Sequence, residues 1–301
     1  MRPPAAHPGR RPPGPPGGDR RVRAVSISAA PYDGYPFPQV CDSLAACGAR
    51  YVEPAFIVGY TEPFDETSFR PAEARAHRAA LDASGLACHA FSSHIDLGRD
   101  DAVEVFKWRM DFAAALGAAV INTNAAERSR AARFRDNIGP LAEHAAALGL
   151  VIGLENPGNG EDNLVNAAAD GLELLRELAL PAVRLNYDPG NTASHRPGRI
   201  NASADAVAAL PGCAHFHLKD VRRDADGWRF VVPGTGDIDC AAIMEGLAAR
   251  ADLPFAVELP LRLRRGPDAQ PIRASAPVPL AAIQAAVRDC LAFVRRWIPE
   301  A

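Results

Sequence analysis

Four apolar runs in the second half of the chain each end on a side chain able to hold a metal or move a proton. They are VIGLEN at Glu155, VRLNYDPGN at Asp188, CAHFHLKD at His217 and FAVELP at Glu258. One carboxylate at the end of one buried strand is commonly incidental. Four such endings in series, offering oxygen, oxygen, nitrogen and oxygen donors, point to a single converging divalent-metal site. The intervals are 33 residues from Glu155 to Asp188, 29 from Asp188 to His217 and 41 from His217 to Glu258. One βα unit takes roughly 30 residues or more, so the four endings suit consecutive units of one repeating architecture. Alternate side chains of a strand point the same way, so these residues need only share a phase at the strand ends to aim at one point.

Each residue also has an ordinary structural reading. Glu155 alone reads as a turn or capping carboxylate, and Asp188-Pro-Gly-Asn is a favourable turn without any metal. His217 alternates with His215 and Lys219 on one strand face, where a lone histidine reads as a hydrogen-bonded core residue. Glu258 is hardest to explain away, because an acid following the buried run PFAV needs a partner.

The elements that would carry these endings follow from hydrophobic periodicity. From residue 22 onward, short β-type runs alternate with longer amphipathic ones. Strands are predicted over 22–29, 50–54, 86–92, 118–123, 150–155, 182–188, 213–219 and 254–259. Helices are predicted over 36–47, 71–84, 101–116, 131–148, 167–179, 202–210, 239–250 and 278–297. Gly48, Gly85, Gly117 and Gly149 each close a helix where a left-handed residue is favoured, and a strand follows at once. Eight such units with short αβ loops predict an α/β fold of the (β/α)8 TIM barrel type, in a single domain over residues 22–301. A doubly wound open sheet is the alternative, but no GxGxxG follows the first strand and no P-loop motif occurs in the chain.

Two stretches depart from simple alternation. Residues 221–238 predict a hairpin with DADG as its turn and WRFVV as its second strand, and residues 261–277 predict a long, basic, proline-containing loop. Both follow strand C-termini and so belong to the face where a barrel's active site lies, as lids or as contacts in a homo-oligomer.

Composition sets wider limits. The 301 residues carry a formal net charge of -3, which gives no electrostatic case for nucleic acid. No stretch reaches the roughly 18 apolar residues of a membrane span, and the N-terminus lacks the apolar core of a secretory signal. The six cysteines form no CxxC pair and sit in apolar runs, as expected of reduced thiols in a cytoplasmic protein. Residues 1–21 are almost wholly Pro, Gly, Arg and Ala and are expected to form a disordered N-terminal extension. A small polar molecule is the expected partner.

The motifs LEN, NYDPGN, HFHLKD, PGTGDID and VELP together resemble the xylose-isomerase-like TIM barrels. That family includes ketose 3-epimerases, hydroxypyruvate isomerases, inosose dehydratases and endonuclease IV. The resemblance is well carried over residues 150–259 and extends weakly over 22–298. It implies that Glu155, Asp188, His217 and Glu258 bind one divalent cation, manganese first, with magnesium, cobalt or zinc as alternatives. It also implies that Glu155 and Glu258 move protons, as a metal-dependent isomerase or epimerase acting on a sugar or keto-sugar through an enediolate would require. Such chemistry is sound in itself, because a chelated carbonyl acidifies the adjacent C–H and two carboxylates flanking that carbon can remove and return a proton. A lyase or dehydratase acting on a keto-sugar or keto-cyclitol would use the same residues.

Further residues are expected at the substrate. Lys219 shares the face of His217 and is suited to a substrate oxygen or to an ion pair with a neighbouring carboxylate. Arg222 and Arg223 occupy the region where the epimerases resembling this chain place a substrate-binding arginine. Glu53, at the end of the second strand, and His94, just after the third, are candidates for substrate contact. Asp220 is read as orienting its loop, and Trp228 as capping the pocket or packing on the barrel. Three residues after the strand-six aspartate many relatives carry a substrate-binding histidine, whereas this chain has Asn191. The endonuclease reading fares worse, since it needs an Asp-x-His pair that this chain does not contain. A non-catalytic scaffold would require all four ligands to be coincidental.

Overall fold

The computed structural model describes residues 23–58 and 64–301. Eight parallel strand positions close into a barrel: β1 (Val25–Ser28), β2 (Tyr51–Glu53), a third position split into β3 (Ala87–Cys88) and β4 (Ala90–Ser92), β5 (Val120–Asn124), β6 (Val151–Glu155), β7 (Val183–Tyr187), β8 (Cys213–Leu218) and β11 (Phe255–Val257). Closure at the split strand comes from the chain just beyond β2, where Phe56 N donates to Ser92 O at 2.9 Å and Ser92 N donates to Pro54 O at 2.9 Å. On the other side β1 pairs with β11, Val25 opposite Phe255. The fold is thus the single-domain α/β barrel expected from the alternation.

Among the described residues eight helices pack outside: α1 (Phe37–Ala46), α2 (Pro71–Ser84), α3 (Ala102–Ala115), α4 (Ala131–Leu148), α5 (Ala168–Leu178), α7 (Ala202–Ala209), α8 (Cys240–Ala248) and α9 (Leu280–Val294). Gly85 and Gly149 cap α2 and α4 with φ of 66° and 71°. A side chain there would be strained, so the glycines end the helices and turn the chain into the next strand. A short additional helix, α6 (Pro189–His195), follows β7, where the sequence suggested only a turn. Asp188 caps it by accepting from Asn191 N at 3.0 Å, and Pro189 supplies the fixed φ favoured at a first helical position.

The two irregular stretches join into one element. The expected hairpin forms as β9 (Asp220–Asp224) and β10 (Gly227–Val231), and the stretch read as a loop contains β12 (Leu263–Arg265) and β13 (Pro271–Arg273). They pair as an antiparallel sheet in the order β13-β12-β10-β9. β10 can pair with β12 only because Gly227 lacks a side chain, since a Cβ there would lie 2.0 Å from Arg265 O. Ties to both sides hold this sheet against the C-terminal end of the barrel. Arg273 meets the Asp33 carboxylate beyond β1 at 2.6 and 2.7 Å, and Gln270 donates to Asn159 O beyond β6 at 2.9 Å.

All six cysteines are free and buried. No helix among the described residues is long and apolar enough to cross a membrane. The expectation for residues 1–21 lies outside the described residues.

Candidate metal centre

Glu155 closes β6, Asp188 directly follows β7, His217 lies near the end of β8 and Glu258 directly follows β11. Each offers one ligand atom, and those atoms all lie within 4.8 Å of one another. His217 Nδ1 is 2.9 Å from Glu258 Oε2, 3.1 Å from Glu155 Oε2 and 3.9 Å from Asp188 Oδ2. Lys219 Nζ sits beside them, 2.8 Å from Asp188 Oδ2 and 3.0 Å from Glu258 Oε2.

Local sequence accounts for the convergence. Asn156, the last residue of LEN, accepts from Asp188 N at 2.8 Å and donates to Asp188 O at 2.9 Å, fixing the strand end that carries the aspartate. Asp220, the last residue of HFHLKD, accepts four backbone N–H groups from Val221, Gly234, Gly236 and Ile238, at 2.8 to 3.2 Å. That carboxylate fastens the PGTGDI bend to the end of β8, the loop-orienting role expected of it.

A polar layer lies one step deeper in the barrel. Glu53 is 0% exposed and places Oε1 2.8 Å from His217 Nε2 and 2.7 Å from Ser92 Oγ. This corrects the expectation of substrate contact: Glu53 reaches the site from behind, through the imidazole. Asn186 Nδ2 donates to Glu155 Oε2 at 2.5 Å, and its Oδ1 lies 2.9 Å from His215 Nδ1. Gly153 makes room for the layer, since a Cβ there would stand 2.4 Å from Asn122 Oδ1 and 3.1 Å from Asn186 Cβ. Buried atoms of the layer, Glu53 Oε2, Asn122 Oδ1 and His215 Nε2, have no hydrogen-bond partner.

The electrostatics follow from this packing. Burial works against charge on His217, but Glu53, Glu155 and Glu258 outweigh it and hold its pKa well above the ordinary imidazole value. Burial also opposes charge on Glu258, yet Lys219 and His217 hold its carboxyl well below the usual range. Burial dominates at His215 and pushes it down to about 3.

The donor set fits a divalent cation. Three carboxylates and an imidazole face one another at ligand–ligand spacings, and among the described residues Lys219 is the one permanent cation paired with them. The far nitrogen of His217 rests on a carboxylate, the arrangement that orients metal-binding histidines.

The remaining expected residues divide. His94 lies at the open side, 14% exposed at its side chain, with Nε2 3.7 Å from Glu155 Oε2. Asn191 is buried, and its amide donates to Glu155 Oε1 at 2.9 Å, so it holds that carboxylate instead of facing a ligand. Arg222 and Arg223 are both exposed on β9. Arg222 bonds to Thr235 O and Arg223 stacks on Trp228 at 5.3 Å, so neither joins the cluster. Trp228 is buried in packing, while Phe230 is the hairpin ring beside Lys219 Nζ, at 5.0 Å. The sequence reading missed Asn122, Asn186 and Arg265. Period-two phase with Asp188 was the available signal for Asn186.

The model of the xylose isomerase-like TIM barrel family matches residues 41–278. No curated protein matches the sequence. Several solved structures are similar. D-psicose 3-epimerase from Clostridium cellulolyticum H10 has 15% identity and a TM-score of 0.71, with 92% of this chain and 100% of that chain covered. 3-Keto-D-glucoside 4-epimerase from E. coli has 18% identity and a TM-score of 0.67, with 91% and 99% covered. The probable 3-DHS dehydratase from Bacillus anthracis has 14% identity and a TM-score of 0.64, with 90% and 98% covered. At these identities the likeness is one of fold.

Proposed function

The chain belongs to the xylose isomerase-like TIM barrel family, and from that premise we propose that it is a divalent-metal-dependent isomerase or epimerase of a sugar or keto-sugar. The observation that carries this reading is the convergence of Glu155, Asp188, His217 and Glu258 within 4.8 Å at the C-terminal ends of four successive barrel strands. A divalent cation held there supplies Lewis acidity to a carbonyl and its neighbouring hydroxyl, which acidifies the C–H between them. Manganese is the expected ion.

The protein's own groups handle the proton. Glu258, held ionised by Lys219 and His217 and 16% exposed at its side chain, takes the proton from one face of the carbon. Glu155, fixed by Asn186 and Asn191, delivers a different proton to the other face, and the two carboxyl groups reset by exchange with water between turnovers. His94 stands at the open side to hold a substrate hydroxyl, and Lys219 to hold a substrate oxygen. The antiparallel sheet covers part of the mouth and limits water there.

A lyase would share every ligand, and one similar structure is described as a dehydratase. Incubation of manganese-loaded protein with ketoses in deuterated water separates the outcomes. Epimerisation or isomerisation gives isomers of the substrate that carry deuterium in place of hydrogen at the reacting carbon, whereas elimination gives a dehydrated product. A chain that binds no divalent ion, and whose Glu155→Gln and Glu258→Gln variants match the parent in exchange, would contradict both.

A further inference from the structure

Arg265, on β12, is 9% exposed and forms no ion pair with a carboxylate among the described residues. Its Nη1 donates to Ala269 O at 3.0 Å, its Nη2 reaches Asn191 Oδ1 only at 3.4 Å, and its Nε is buried without any partner. A guanidinium cannot shed its proton in a protein, so a desolvated one lacking a counter-charge is costly unless an anion arrives. Its placement is fixed from both sides. Gly227 leaves room for the Arg265 backbone, and Gly158 leaves room for its head group, since a Cβ at 158 would lie 2.8 Å from both Arg265 Nη2 and Asn191 Oδ1. The site it adjoins is the metal centre: the oxygen of the same Asn191 amide also meets Lys219 Nζ at 3.4 Å, and its nitrogen holds Glu155 at 2.9 Å.

We propose that Arg265 recognises an oxyanion on the substrate, at the end remote from the carbonyl, so that the chain acts on an acidic keto-sugar in preference to a neutral one. The inference rests on the function proposed above and narrows its substrate class. The Nε–Nη2 edge is the fork that pairs bidentately with a carboxylate or phosphate. Roof-borne Arg265 would therefore meet the far end of a substrate whose carbonyl end lies between Glu155 and Glu258. Such a pair, formed out of water, changes affinity about ten- to a hundredfold.

The test uses the manganese-loaded full chain and three matched probes, D-fructose, D-fructuronate and D-fructose 6-phosphate, with dissociation constants measured by calorimetry. Manganese titration comes first: a chain that takes up no manganese overturns the proposed function, whereas a chain that binds it proceeds to the comparison. The expected result is about tenfold or greater preference for one charged probe over D-fructose, D-fructuronate identifying a carboxylate and D-fructose 6-phosphate a phosphate. In Arg265→Met that ratio collapses towards one at wild-type manganese content, and in Arg265→Lys, which keeps the charge without the fork, it is intermediate. Equal affinity of the wild-type chain for all three probes overturns the inference and needs no variant. So does an Arg265→Met protein that keeps the preference but loses manganese affinity, the mark of an arginine that only balances the carboxylates.

Discussion

His215 and His217 stand two residues apart on one face of β8, with ring centroids 5.6 Å apart, yet their environments drive them in opposite directions. His217 is surrounded by Glu53, Glu155 and Glu258 and is held protonated, while His215, one step deeper among Asn122 and Asn186, is pushed down to about 3. Residue type and strand phase are identical for the two. Depth in the barrel differs, and with it the balance between desolvation and neighbouring charge. The rim gathers three carboxylates at the strand ends, whereas the layer below sets neutral amides around a single one, Glu53, which lies 3.4 Å from His215 Nε2 without outweighing burial there. Metal chemistry is therefore expected at His217, and a structural role at His215.

Removing the rim carboxylates tests this contrast most severely. Glu258→Gln and Glu155→Gln are each expected to lower deuterium exchange into substrate by about 100- to 10,000-fold, with reduced bound manganese by elemental analysis. His215→Asn in the same assay should retain the parent's metal stoichiometry. A loss equal to that of Glu258→Gln would erase the distinction between the layers.

The pH dependence of metal binding sharpens it. With its pKa raised, His217 carries a proton in the metal-free protein at neutral pH, and a cation must displace that proton from Nδ1. Affinity for manganese should accordingly rise with pH, by about tenfold per unit between roughly pH 5 and 8, as one displaced proton requires. Ring NMR of the metal-free protein over that range should find His215 neutral and His217 charged. A neutral His217 at pH 6 would reverse the assignment.

Glu53 belongs to the deep layer by burial and to the rim by function, since it holds His217 Nε2. Glu53→Gln is expected to weaken manganese about 10- to 100-fold, read by competition with a chelator. His215→Asn should cost about 1–3 kcal/mol of stability in denaturant titration, through the hydrogen bond lost at Asn186. Arg222→Ala lies outside both layers and should shift stability by no more than about 0.5 kcal/mol, with exchange rates at the parent value.

Much of the frame was legible because it is periodic. α2 and α4 span the expected 71–84 and 131–148, ended by the expected glycines; the third strand, expected over 86–92, is interrupted at His89, and the remaining barrel strands and outer helices depart from expectation only at their ends. β12 and β13 escape the sequence pattern because three-residue strands in LRLRRGPDAQPIR leave no period to detect, and the pair is anchored through β12 to β10, a distant segment. Arg222 and Arg223 were expected at the substrate from a resemblance in loop position. The hairpin turns both outward and leaves Arg265, from the other half of the roof, as the guanidinium beside Asn191.

What the sequence determined by itself was the set of strand endings. Glu155, Asp188, His217 and Glu258 carry their chemistry and their phase in local pattern, and a repeated βα unit brings such endings to one rim. Tertiary structure alone decided what stands behind and above them. That Glu53 backs His217, that Asn186 touches both His217 and His215, and that Arg265 reaches Asn191 all depend on barrel closure and roof pairing. These contacts join residues as far as 164 positions apart in the chain. Burial and neighbouring charge arise only when such segments meet, and they make two equivalent histidines on one strand into opposites.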